Sequence, residues 1–343
     1  MPVTGRTALL GDIESGRSPV GAVSEGKMKD GYGRTISYLR VSVTDLCNLR
    51  CQYCMPEEGV EKKEHARILT LEEIAEIVEE AAKLGIKKVR ITGGEPLVRR
   101  GIISLCENIA RTPGIEETVI TTNGILLDKM AKDLYNAGIR RVNISLDTLN
   151  PDKYRKITRK GDLNKVFLGI KKAKETGFNP IKINTVLMGG FNDDEIDDFV
   201  EFARKNEVEV RFIELMPVGC AAAFEKNSFI TCDSIRDKFS NLIPCGNSGV
   251  ARVFEIPGSK GKIGLITPES HEFCSECDRI RLTSDGKIKP CLHSEAEISV
   301  KGLHGESLAE KLKEAIMAKP LRHLKFSPGE ATAGGRSMNR IGG

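Results

Sequence analysis

The chain has 343 residues, of which 40% are hydrophobic and 29% are charged. These fractions are ordinary for a globular protein, and the length allows one large α/β domain and a smaller one. The formal net charge of +4 argues against a dedicated nucleic-acid-binding surface. No apolar run approaches the roughly 20 residues of a membrane span, and the N-terminus lacks the apolar core of a signal peptide. We therefore expect a cytoplasmic protein that binds neither membranes nor nucleic acids.

The N-terminal segment, residues 1–30, is rich in Gly, Ser, Pro and charge and shows no sustained apolar period. This composition predicts a flexible tail, with ordered structure beginning near Tyr32. None of the motifs described below falls within it.

From Tyr38 onward, patterns typical of strands and helices alternate. The predicted strands span residues 38–44, 88–93, 117–123, 141–147, 181–187 and 209–217. The clearest helix covers 71–85, where Thr70 and Glu73 form a capping box and Gly85 suits the left-handed residue that ends the helix. Similar helical runs fill 126–137, 164–176 and 193–205. Because six βα units in series give a parallel sheet but do not complete an eight-stranded barrel, we predict an α/β fold with an open (βα)6 partial TIM-type barrel. A flat doubly wound sheet is the alternative.

Ten cysteines are present, and six of them fall into two groups. The first group is Cys47, Cys51 and Cys54, and the second is Cys274, Cys277 and Cys291. Such grouping in a chain without a secretion signal favours metal binding over disulfides, and a reducing compartment. The other four are interpreted as isolated buried or surface thiols: Cys106, Cys220, Cys232 and Cys245.

The first cysteine group lies in the loop VTDLCNLRCQYCMP, residues 43–56, with the spacing CxxxCxxC. Thiolates this close can converge on one centre, and sulfur ligands select zinc or the iron of an iron–sulfur cluster. A structural zinc would need a fourth ligand, yet no further Cys or His lies nearby before His65. A [4Fe–4S] cluster normally takes four cysteines, so three leave one iron open for chemistry. The alternative is three core cysteines at coincidental spacing. The pattern resembles the signature of radical S-adenosylmethionine (SAM) enzymes, which implies SAM on the open iron and Tyr53 beside its adenine.

Polar and glycine-rich segments follow several of the other predicted strands. They are Gly93-Gly94-Glu95-Pro96, Thr121-Thr122-Asn123, Ser145-Leu146-Asp147 and Met216-Pro217. Active sites of (β/α) barrels gather at the C-terminal ends of the strands, so these segments should face one mouth together with the cysteine loop. Gly-Gly-Glu-Pro alone is also typical of a turn. Directly after the second strand, it resembles the radical-SAM motif whose backbone contacts the amino group of SAM.

Three cations on separate predicted strands should point into the barrel. Arg40 shares a strand face with Ser42 and Thr44, Arg90 lies on the second strand, and Lys182 lies on the fifth. A cation that faces a barrel lumen is costly to desolvate unless it meets an anion. A single such residue is usually ion-paired or reaches solvent, but three together favour an anionic ligand.

The second cysteine group belongs to HEFCSECDRIRLTSDGKIKPCLH, a CxxC followed after thirteen residues by Cys291. Between them, the alternation in DRIRL and the turn residues SDG predict a hairpin that returns Cys291 to the CxxC. The spacing alone is compatible with an iron–sulfur cluster, or with structural zinc that takes His293 or His271 as fourth ligand.

Taken together, the motifs resemble those of the GTP 3′,8-cyclases of molybdenum-cofactor biosynthesis, a family of radical-SAM enzymes. They are CxxxCxxC, GGEP, TTNG, SLD, CxxC-x13-C with RxR, and a terminal Gly-Gly. The resemblance implies a radical-SAM barrel core over 31–222 and a C-terminal α+β iron–sulfur region over 223–343. It also implies two [4Fe–4S] clusters, the second held by Cys274, Cys277 and Cys291 with an open iron for the guanine of GTP. The implied SAM-binding residues are Tyr53, Gly93, Gly94, Glu95, Ser145 and Met216. The implied GTP-binding residues are Arg40, Arg90, Thr121, Lys182, Arg279, Ile280 and Arg281.

The same resemblance implies a reaction and its partners. Reductive cleavage of SAM gives a 5′-deoxyadenosyl radical that takes a hydrogen atom from C3′ of GTP, and the ribose radical adds to C8 of guanine. The implied product is (8S)-3′,8-cyclo-7,8-dihydroguanosine 5′-triphosphate, which a separate cyclic pyranopterin monophosphate synthase consumes. An electron donor is required, and a homodimer is one alternative for the oligomeric state. A radical-SAM enzyme acting on peptide or RNA, and a non-enzymatic iron–sulfur or zinc protein, are the other functions compatible with the motifs.

The chain ends in RSMNRIGG. A terminal Gly-Gly is usually frayed, yet glycine also occurs where backbone must approach a ligand closely. The resemblance implies that this end reaches into the barrel. Gly342 and Gly343, with Arg279 and Arg281, are therefore the predicted catalytic residues, and neither glycine should have room for a Cβ atom.

Overall fold

The structure is a computed structural model that describes residues 28–61, 63–323 and 335–342. Gly343 and residues 1–27 of the predicted tail lie outside the described residues. Residues 28–30 belong to the ordered protein, since Lys29 pairs with Thr35 across a bridge and the Met28 amide donates to Leu84 O at 3.1 Å. Ordered structure therefore begins earlier than Tyr32.

Twelve strands within the described residues form one sheet. They are β1 (Tyr38–Ser42), β2 (Lys88–Thr92), β3 (Glu117–Thr122), β4 (Arg141–Ser145), β5 (Ile181–Leu187), β6 (Glu209–Glu214), β7 (Ile243–Ser248), β8 (Ala251–Glu255), β9 (Lys262–Ile266), β10 (Arg279–Leu282), β11 (Lys287–Lys289) and β12 (Ile298–Ser299). Their order across the sheet is β12-β11-β10-β1-β2-β3-β4-β5-β6-β9-β8-β7.

The six predicted barrel strands are parallel and lie in sequential order. A doubly wound sheet would reverse its strand order at an internal switch point, so that alternative is excluded. The two ends of the sheet do not pair with each other among the described strands. The prediction of an open, partial barrel is confirmed.

Helices cover the outside of the sheet. They are α1 (Leu71–Lys83), α2 (Ile102–Arg111), α3 (Leu127–Asn136), α4 (Pro151–Thr158), α5 (Leu163–Thr176), α6 (Ile196–Asn206), α7 (Asp233–Lys238) and α8 (Gly305–Met317). The predicted capping box of α1 is present, with Thr70 Oγ1 accepting from the Glu73 amide and the Glu73 carboxylate accepting from the Thr70 amide. The apolar face of each helix packs on the outward side chains of the strands, which include the fully buried Leu39 and Val41. The lumen face is left to polar side chains.

The C-terminal region extends the barrel sheet at both ends. β10 pairs in parallel with β1, and β9 pairs in parallel with β6. One hydrophobic core joins residues on both sides of the predicted boundary at 222/223, for example Phe212 and Ile263. The second cysteine group is therefore attached to the first barrel strand through β10.

Candidate active site

The Gly-Gly-Glu-Pro turn after β2 supports the first cysteine loop. The Gly94 amide donates to Thr44 O at 2.7 Å, and the Glu95 amide donates to Leu46 O at 2.9 Å. A Cβ atom on Gly93 would lie 2.6 Å from Thr44 O, and one on Gly94 would overlap Leu46 O. Glycine is required here because backbone meets backbone. The sequence predicts a cofactor contact for these glycines, and the structure adds this packing role.

Glu95 is buried at 1% exposure, and protein groups surround its carboxylate. It accepts hydrogen bonds from Thr122 Oγ1 and from the Asn123 amide, both at 2.7 Å. Burial raises the pKa of Glu95 to about 7, although these hydrogen bonds oppose the shift. The Asn123 side chain in turn donates to Asn48 Oδ1 at 2.7 Å and lies 3.8 Å from Cys47 Sγ. Glu95 thus positions Asn123 against the cysteine loop; Asn48 is a partner that the sequence analysis missed.

Cys47, Cys51 and Cys54 are half-buried free thiols, and their surroundings fit an iron–sulfur cluster. The Leu49 amide donates to Cys47 Sγ at 3.3 Å, and hydrogen bonds to sulfur are one way in which proteins tune such clusters. Burial raises the pKa of Cys47 to about 11 and that of Cys54 to about 12, so metal binding must displace protons from these thiols. Zinc, with Zn–S bonds of about 2.3 Å, would hold thiolates within about 4 Å of one another. Within the described residues, the three sulfurs are not gathered within 4.8 Å, which suits thiolates on separate irons.

Tyr53 is fixed at the end of β4. Its hydroxyl donates to Asp147 Oδ2 at 2.8 Å, and Asp147 Oδ1 accepts from the Val186 amide at 2.9 Å. Burial raises the pKa of Asp147 to about 6, against the lowering effect of these two bonds. Ser145 is the last residue of β4, and Met216 follows β6, where its carbonyl oxygen accepts from a backbone amide at 2.7 Å. The predicted SAM residues thus lie on one rim of the barrel.

Cations line the lumen in two rows across β10, β1 and β2. Arg281, Arg40 and Arg90 are direct register partners on these strands. Two residues earlier, the next row places Arg279 and Lys88 on either side of Tyr38. Like charges opposite one another destabilise a sheet, so a buried arrangement of this kind calls for an anion. The sequence predicted the arginines as lumen residues, whereas their alignment depends on the pairing of β10 with β1.

Tyr38 is a member of this cluster that the sequence analysis missed. Arg90 donates from Nε to the Tyr38 hydroxyl and from Nη1 to Thr121 Oγ1, the latter at 3.0 Å. Burial alone would raise the pKa of Tyr38, but Arg90, Arg40 and other nearby cations outweigh burial and lower it to about 8. Its position two residues before Arg40, on the same strand face, was the available sequence signal.

Ile280 lies between the two lumen arginines of β10. Its side chain is 1% exposed and lies in the hydrophobic core on the helix-covered side of the sheet. The reason is strand alternation, since Arg279 and Arg281 take the lumen face and the residue between them takes the opposite face. The Ile280 side chain therefore does not face the lumen, and a contact between this residue and GTP stays a prediction.

Lys182 lies in the lumen with a carboxylate partner. It is 2% exposed, and its Nζ lies 2.9 Å from Glu209 Oε2 and donates to Ser248 Oγ at 2.7 Å. The other oxygen of Glu209 accepts from Arg211 Nε at 2.5 Å. Burial, with Arg211 nearby, lowers the pKa of Lys182 to about 8 despite the attraction of Glu209. Glu209 and Arg211 were not predicted, although both fall on the predicted sixth strand.

The second cysteine group is assembled by the predicted hairpin, in which Arg281 on β10 pairs with Lys289 on β11. Lys319, buried at 3% exposure, crosses this group and donates to Cys277 Sγ at 3.4 Å, to Arg279 O at 2.8 Å and to Pro290 O at 3.0 Å. Burial would raise the pKa of Cys277, but Arg279 and Lys319 outweigh burial and lower it to about 7. Cationic surroundings of this kind suit an anionic thiolate-bound cluster.

The histidines weighed as zinc ligands have other neighbours. His271 lies 3.3 Å from Asp233 at the surface. The His293 ring packs against the ring of His323 with centroids 4.8 Å apart. Within the described residues, the three cysteine sulfurs are not gathered tightly enough for one zinc ion. Among the described residues, neither histidine completes a zinc site with these three thiols.

The end of the chain enters the lumen. Arg281 Nη1 donates to Gly342 O at 2.7 Å, and Asn339 Nδ2 donates to Asp45 O in the cysteine loop at 3.0 Å. Gly342 has φ +70°, and an added Cβ would overlap Thr92 Oγ1. Gly342 thus has no free space for a Cβ atom, as expected. That Gly342 and Gly343 line an active-site cavity stays a prediction, and Gly343 lies outside the described residues.

The four cysteines outside the two groups differ in their burial. Cys106 and Cys232 are buried, Cys220 is half-buried and Cys245 is exposed. Within the described parts of the chain, no helix combines the length and apolarity needed to cross a membrane.

Comparisons with known proteins agree with this arrangement. Residues 41–203 match the Radical SAM superfamily, and residues 208–325 match Molybdenum Cofactor Synthesis C. A GTP 3′,8-cyclase of Alkaliphilus oremlandii (strain OhILAs) is 51% identical over 321 residues, covering 92% of this chain and 100% of that protein. A GTP 3′,8-cyclase of Peptoclostridium acidaminophilum is 50% identical over 320 residues, covering 92% and 98%.

Solved structures share the fold at low sequence identity. Streptococcus suis SuiB bound to precursor peptide SuiA has a TM-score of 0.60 at 17% identity, covering 84% of this chain and 67% of that one. Native anSMEcpe with bound AdoMet has a TM-score of 0.54 at 16% identity, covering 80% and 81%. At this level the likeness concerns the fold, whereas the sequence relatives are half identical over nearly the whole chain. With its radical-SAM barrel, its two cysteine groups and a terminal segment in the lumen, the chain belongs to the GTP 3′,8-cyclase family.

Proposed function

We propose that the protein converts GTP to (8S)-3′,8-cyclo-7,8-dihydroguanosine 5′-triphosphate, the first step of molybdenum-cofactor biosynthesis. The observation that carries this proposal is the position of the chain terminus. Gly342 lies against Thr92 in the lumen and is held by Arg281, while Asn339 of the same segment contacts the first cysteine loop. One short segment thus contacts both the first cysteine loop and Arg281 on β10, the strand that follows the second cysteine pair.

The two cysteine groups are the proposed cluster ligands. Cys47, Cys51 and Cys54 would hold one [4Fe–4S] cluster and leave an iron for SAM, and the second group would hold another. When bound, the first cluster and SAM supply the carbon radical that removes a hydrogen atom from the ribose. The chain's part is to orient the ribose towards that radical and to exclude water.

The cationic lumen supports a nucleoside triphosphate as the substrate. Arg40, Arg90 and Lys182 come from three different strands, and a triphosphate would offer each a charge-assisted hydrogen bond of roughly 1.5–3 kcal/mol. Before substrate binds, Lys182 is paired with Glu209, so a phosphate must compete with a carboxylate for it. Arg281 is already bonded to the terminal segment and positions that segment beside the substrate.

The proposed reaction needs an electron donor and an enzyme that consumes the product. A reductant supplies electrons in the cytoplasm, and a cyclic pyranopterin monophosphate synthase takes the product. A homodimer is the assembly state we test, by light scattering of the reconstituted protein.

Anaerobic incubation of reconstituted protein with GTP, SAM and reductant tests the function, with mass analysis of the nucleotide. The expected product is an isomer of GTP with the same mass, because cyclisation adds and removes no atoms overall, so the nucleotides are separated by chromatography before mass analysis. A matched reaction without SAM and a Cys51→Ser variant should both return unchanged GTP. If SAM is cleaved while GTP is recovered unchanged by the parent protein, the substrate is another molecule, and peptide or RNA become the alternatives to test.

A further inference from the structure

Three side chains with metal-ligand chemistry converge beside the second cysteine group. The ligand atoms of Glu272, Cys274 and His323 all lie within 4.8 Å of one another, and no other group of this kind occurs among the described residues. Single-ion bonds of about 2.0–2.3 Å bring ligand atoms to at most about 4.6 Å from one another. Glu272 is exposed and the other two are half-buried, so an ion can enter from solvent.

Hydrogen bonds from Arg34 hold the two chain segments together at this point. The Arg34 guanidinium, 8% exposed, donates to Cys274 O at 2.7 Å, to Pro320 O at 2.6 Å and to Leu321 O at 3.0 Å. One planar group thus fixes the backbone of Cys274 against the segment that leads to His323. The His323 backbone and ring also contact the Cys274 sulfur.

The loop that carries Glu272 is anchored to the barrel by Glu214. Glu214 at the end of β6 accepts from the backbone amides of Glu269 and Ser270, both at 3.0 Å, and so anchors the loop that carries Glu272. Glu269 Oε1 is buried without a hydrogen-bond partner, and its carboxylate interacts electrostatically with Glu214, then with His323 and least with Glu272. Two carboxylates held close together repel each other unless a cation lies near them.

We propose that Glu272, Cys274 and His323 form a mononuclear site for zinc or ferrous iron. One sulfur, one imidazole nitrogen and one carboxylate oxygen are all ligands that zinc takes in proteins, and a thiolate disfavours magnesium and calcium. The site shares Cys274 with the three-thiolate set, so an ion held here and the second [4Fe–4S] cluster exclude each other. This exclusion rests on the proposed function, which assigns Cys274 to that cluster. The mononuclear site itself does not depend on the proposed function.

Cobalt(II) titration of the metal-free full chain tests the site, because thiolate-to-cobalt absorbance reports sulfur coordination. Cys47, Cys51 and Cys54 are changed to Ser in every sample to remove the first group. We expect about one equivalent of tightly bound cobalt. His323→Ala and Glu272→Ala should each weaken binding by about 100-fold or more, since losing even an outer-shell partner of a metal costs about 10- to 100-fold.

Two controls separate this site from a three-thiolate site. Cys277→Ser and Cys291→Ser should leave the cobalt affinity close to that of the parent, because neither sulfur belongs to the proposed ligand set. His293→Ala should also leave it unchanged, although that ring packs against His323. Unaltered binding in His323→Ala, or an equal loss in Cys277→Ser, overturns the proposal.

Zinc loading before reconstitution tests the exclusion. With the first group removed, iron bound after reconstitution should fall from about four atoms to nearly none when zinc is added first, and His323→Ala should restore it. Displacement of cobalt by zinc and by ferrous iron ranks the two metals, with zinc expected to bind more tightly. Full cluster assembly in zinc-loaded protein overturns the exclusion. Failure of the proposed function has a different signature, an absence of cyclised nucleotide from the parent protein with an unchanged cobalt titration.

Discussion

Arg281 donates a 2.7 Å hydrogen bond to the carbonyl oxygen of Gly342, 61 residues further along the chain. Arg281 also stands in register with Arg40 and is buried in the row of lumen arginines. A cation that stands beside other arginines is therefore partly satisfied by the carbonyl oxygen of the terminal segment. The contact makes the position of the chain end depend on the same row that we propose binds phosphate.

Gly342→Ala should uncouple SAM cleavage from GTP cyclisation. The added Cβ would overlap Thr92 Oγ1, and φ +70° disfavours any residue with a side chain, so the terminal segment or the Thr92 side chain must shift. We expect both clusters and SAM cleavage to persist while cyclised product falls at least about tenfold. Product and 5′-deoxyadenosine are quantified in the same anaerobic reaction.

The matched control is Gly335→Ala in the same segment. Gly335 has a similar φ of +62°, but no atom of the described residues lies within 4 Å of its added Cβ. This variant carries the conformational cost without the lumen clash, so it should retain product formation. Normal turnover by Gly342→Ala, or by a chain cut after Ile341, would show that the position of the terminus in the lumen is not needed.

The sequence could predict what depends on local pattern. The capping box of Thr70 and Glu73 and the order of the six barrel strands follow from short-range rules and were confirmed. The positions of Lys319 and Asn48 beside the sulfurs depend on contacts between distant segments, which no local pattern encodes. The burial of the Ile280 side chain, in contrast, could have been predicted from the sequence, because strand alternation places it on the core face.

Iron content distinguishes two clusters from one. Three thiolates at each group predict about eight irons per chain in anaerobically prepared protein and no stoichiometric zinc. Replacing Cys47, Cys51 and Cys54 should abolish SAM cleavage and leave about four irons, whereas replacing Cys274, Cys277 and Cys291 should leave about four irons and some uncoupled SAM cleavage. Iron analysis and electron paramagnetic resonance of each variant measure this. About four irons in the parent would leave only one cluster.

Lys182 and Glu209 should have opposite effects on GTP. Lys182→Ala removes one charge-assisted hydrogen bond and should weaken GTP binding about ten- to a hundredfold while sparing SAM. Glu209→Gln removes the carboxylate that competes for Lys182 at 2.9 Å, so GTP affinity should be kept or increased. Calorimetry with each ligand measures both variants. Equal GTP affinity in Lys182→Ala and the parent would contradict a phosphate contact at this residue.

The hydroxyl of Tyr53 should contribute to the stability of the folded protein and little to the affinity for SAM. Tyr53→Phe keeps the ring but removes the 2.8 Å bond to Asp147, a buried carboxyl that then retains the Val186 amide. Leaving a buried acceptor short of a partner costs about 1–3 kcal/mol, so the unfolding temperature should fall while SAM affinity changes little. Tyr53→Ala, which also removes the ring, should lose SAM affinity as well. A Tyr53→Phe variant as stable as the parent would mean that this bond contributes nothing.

GTP affinity should decrease as the pH rises through 8. Burial lowers the pKa of Lys182 to about 8, and nearby cations lower that of Tyr38 to about 8. Above this pH the free protein loses a cation at Lys182 and gains a phenolate at Tyr38, and each change disfavours a triphosphate, by up to about tenfold per pH unit for each group.

The stability of the folded protein should change with pH in the opposite direction because of Lys182. In the unfolded chain Lys182 keeps its proton up to the ordinary pKa of lysine, so this group makes the GTP-free protein more stable as pH rises from about 8 towards about 10.

GTP titrations between pH 7 and 9.5 on the parent, Lys182→Met, Tyr38→Phe and the double variant separate the contributions of Lys182 and Tyr38 to the pH dependence of GTP affinity. The double variant should show a flat profile; a slope as steep as the parent's would assign the pH dependence to other groups.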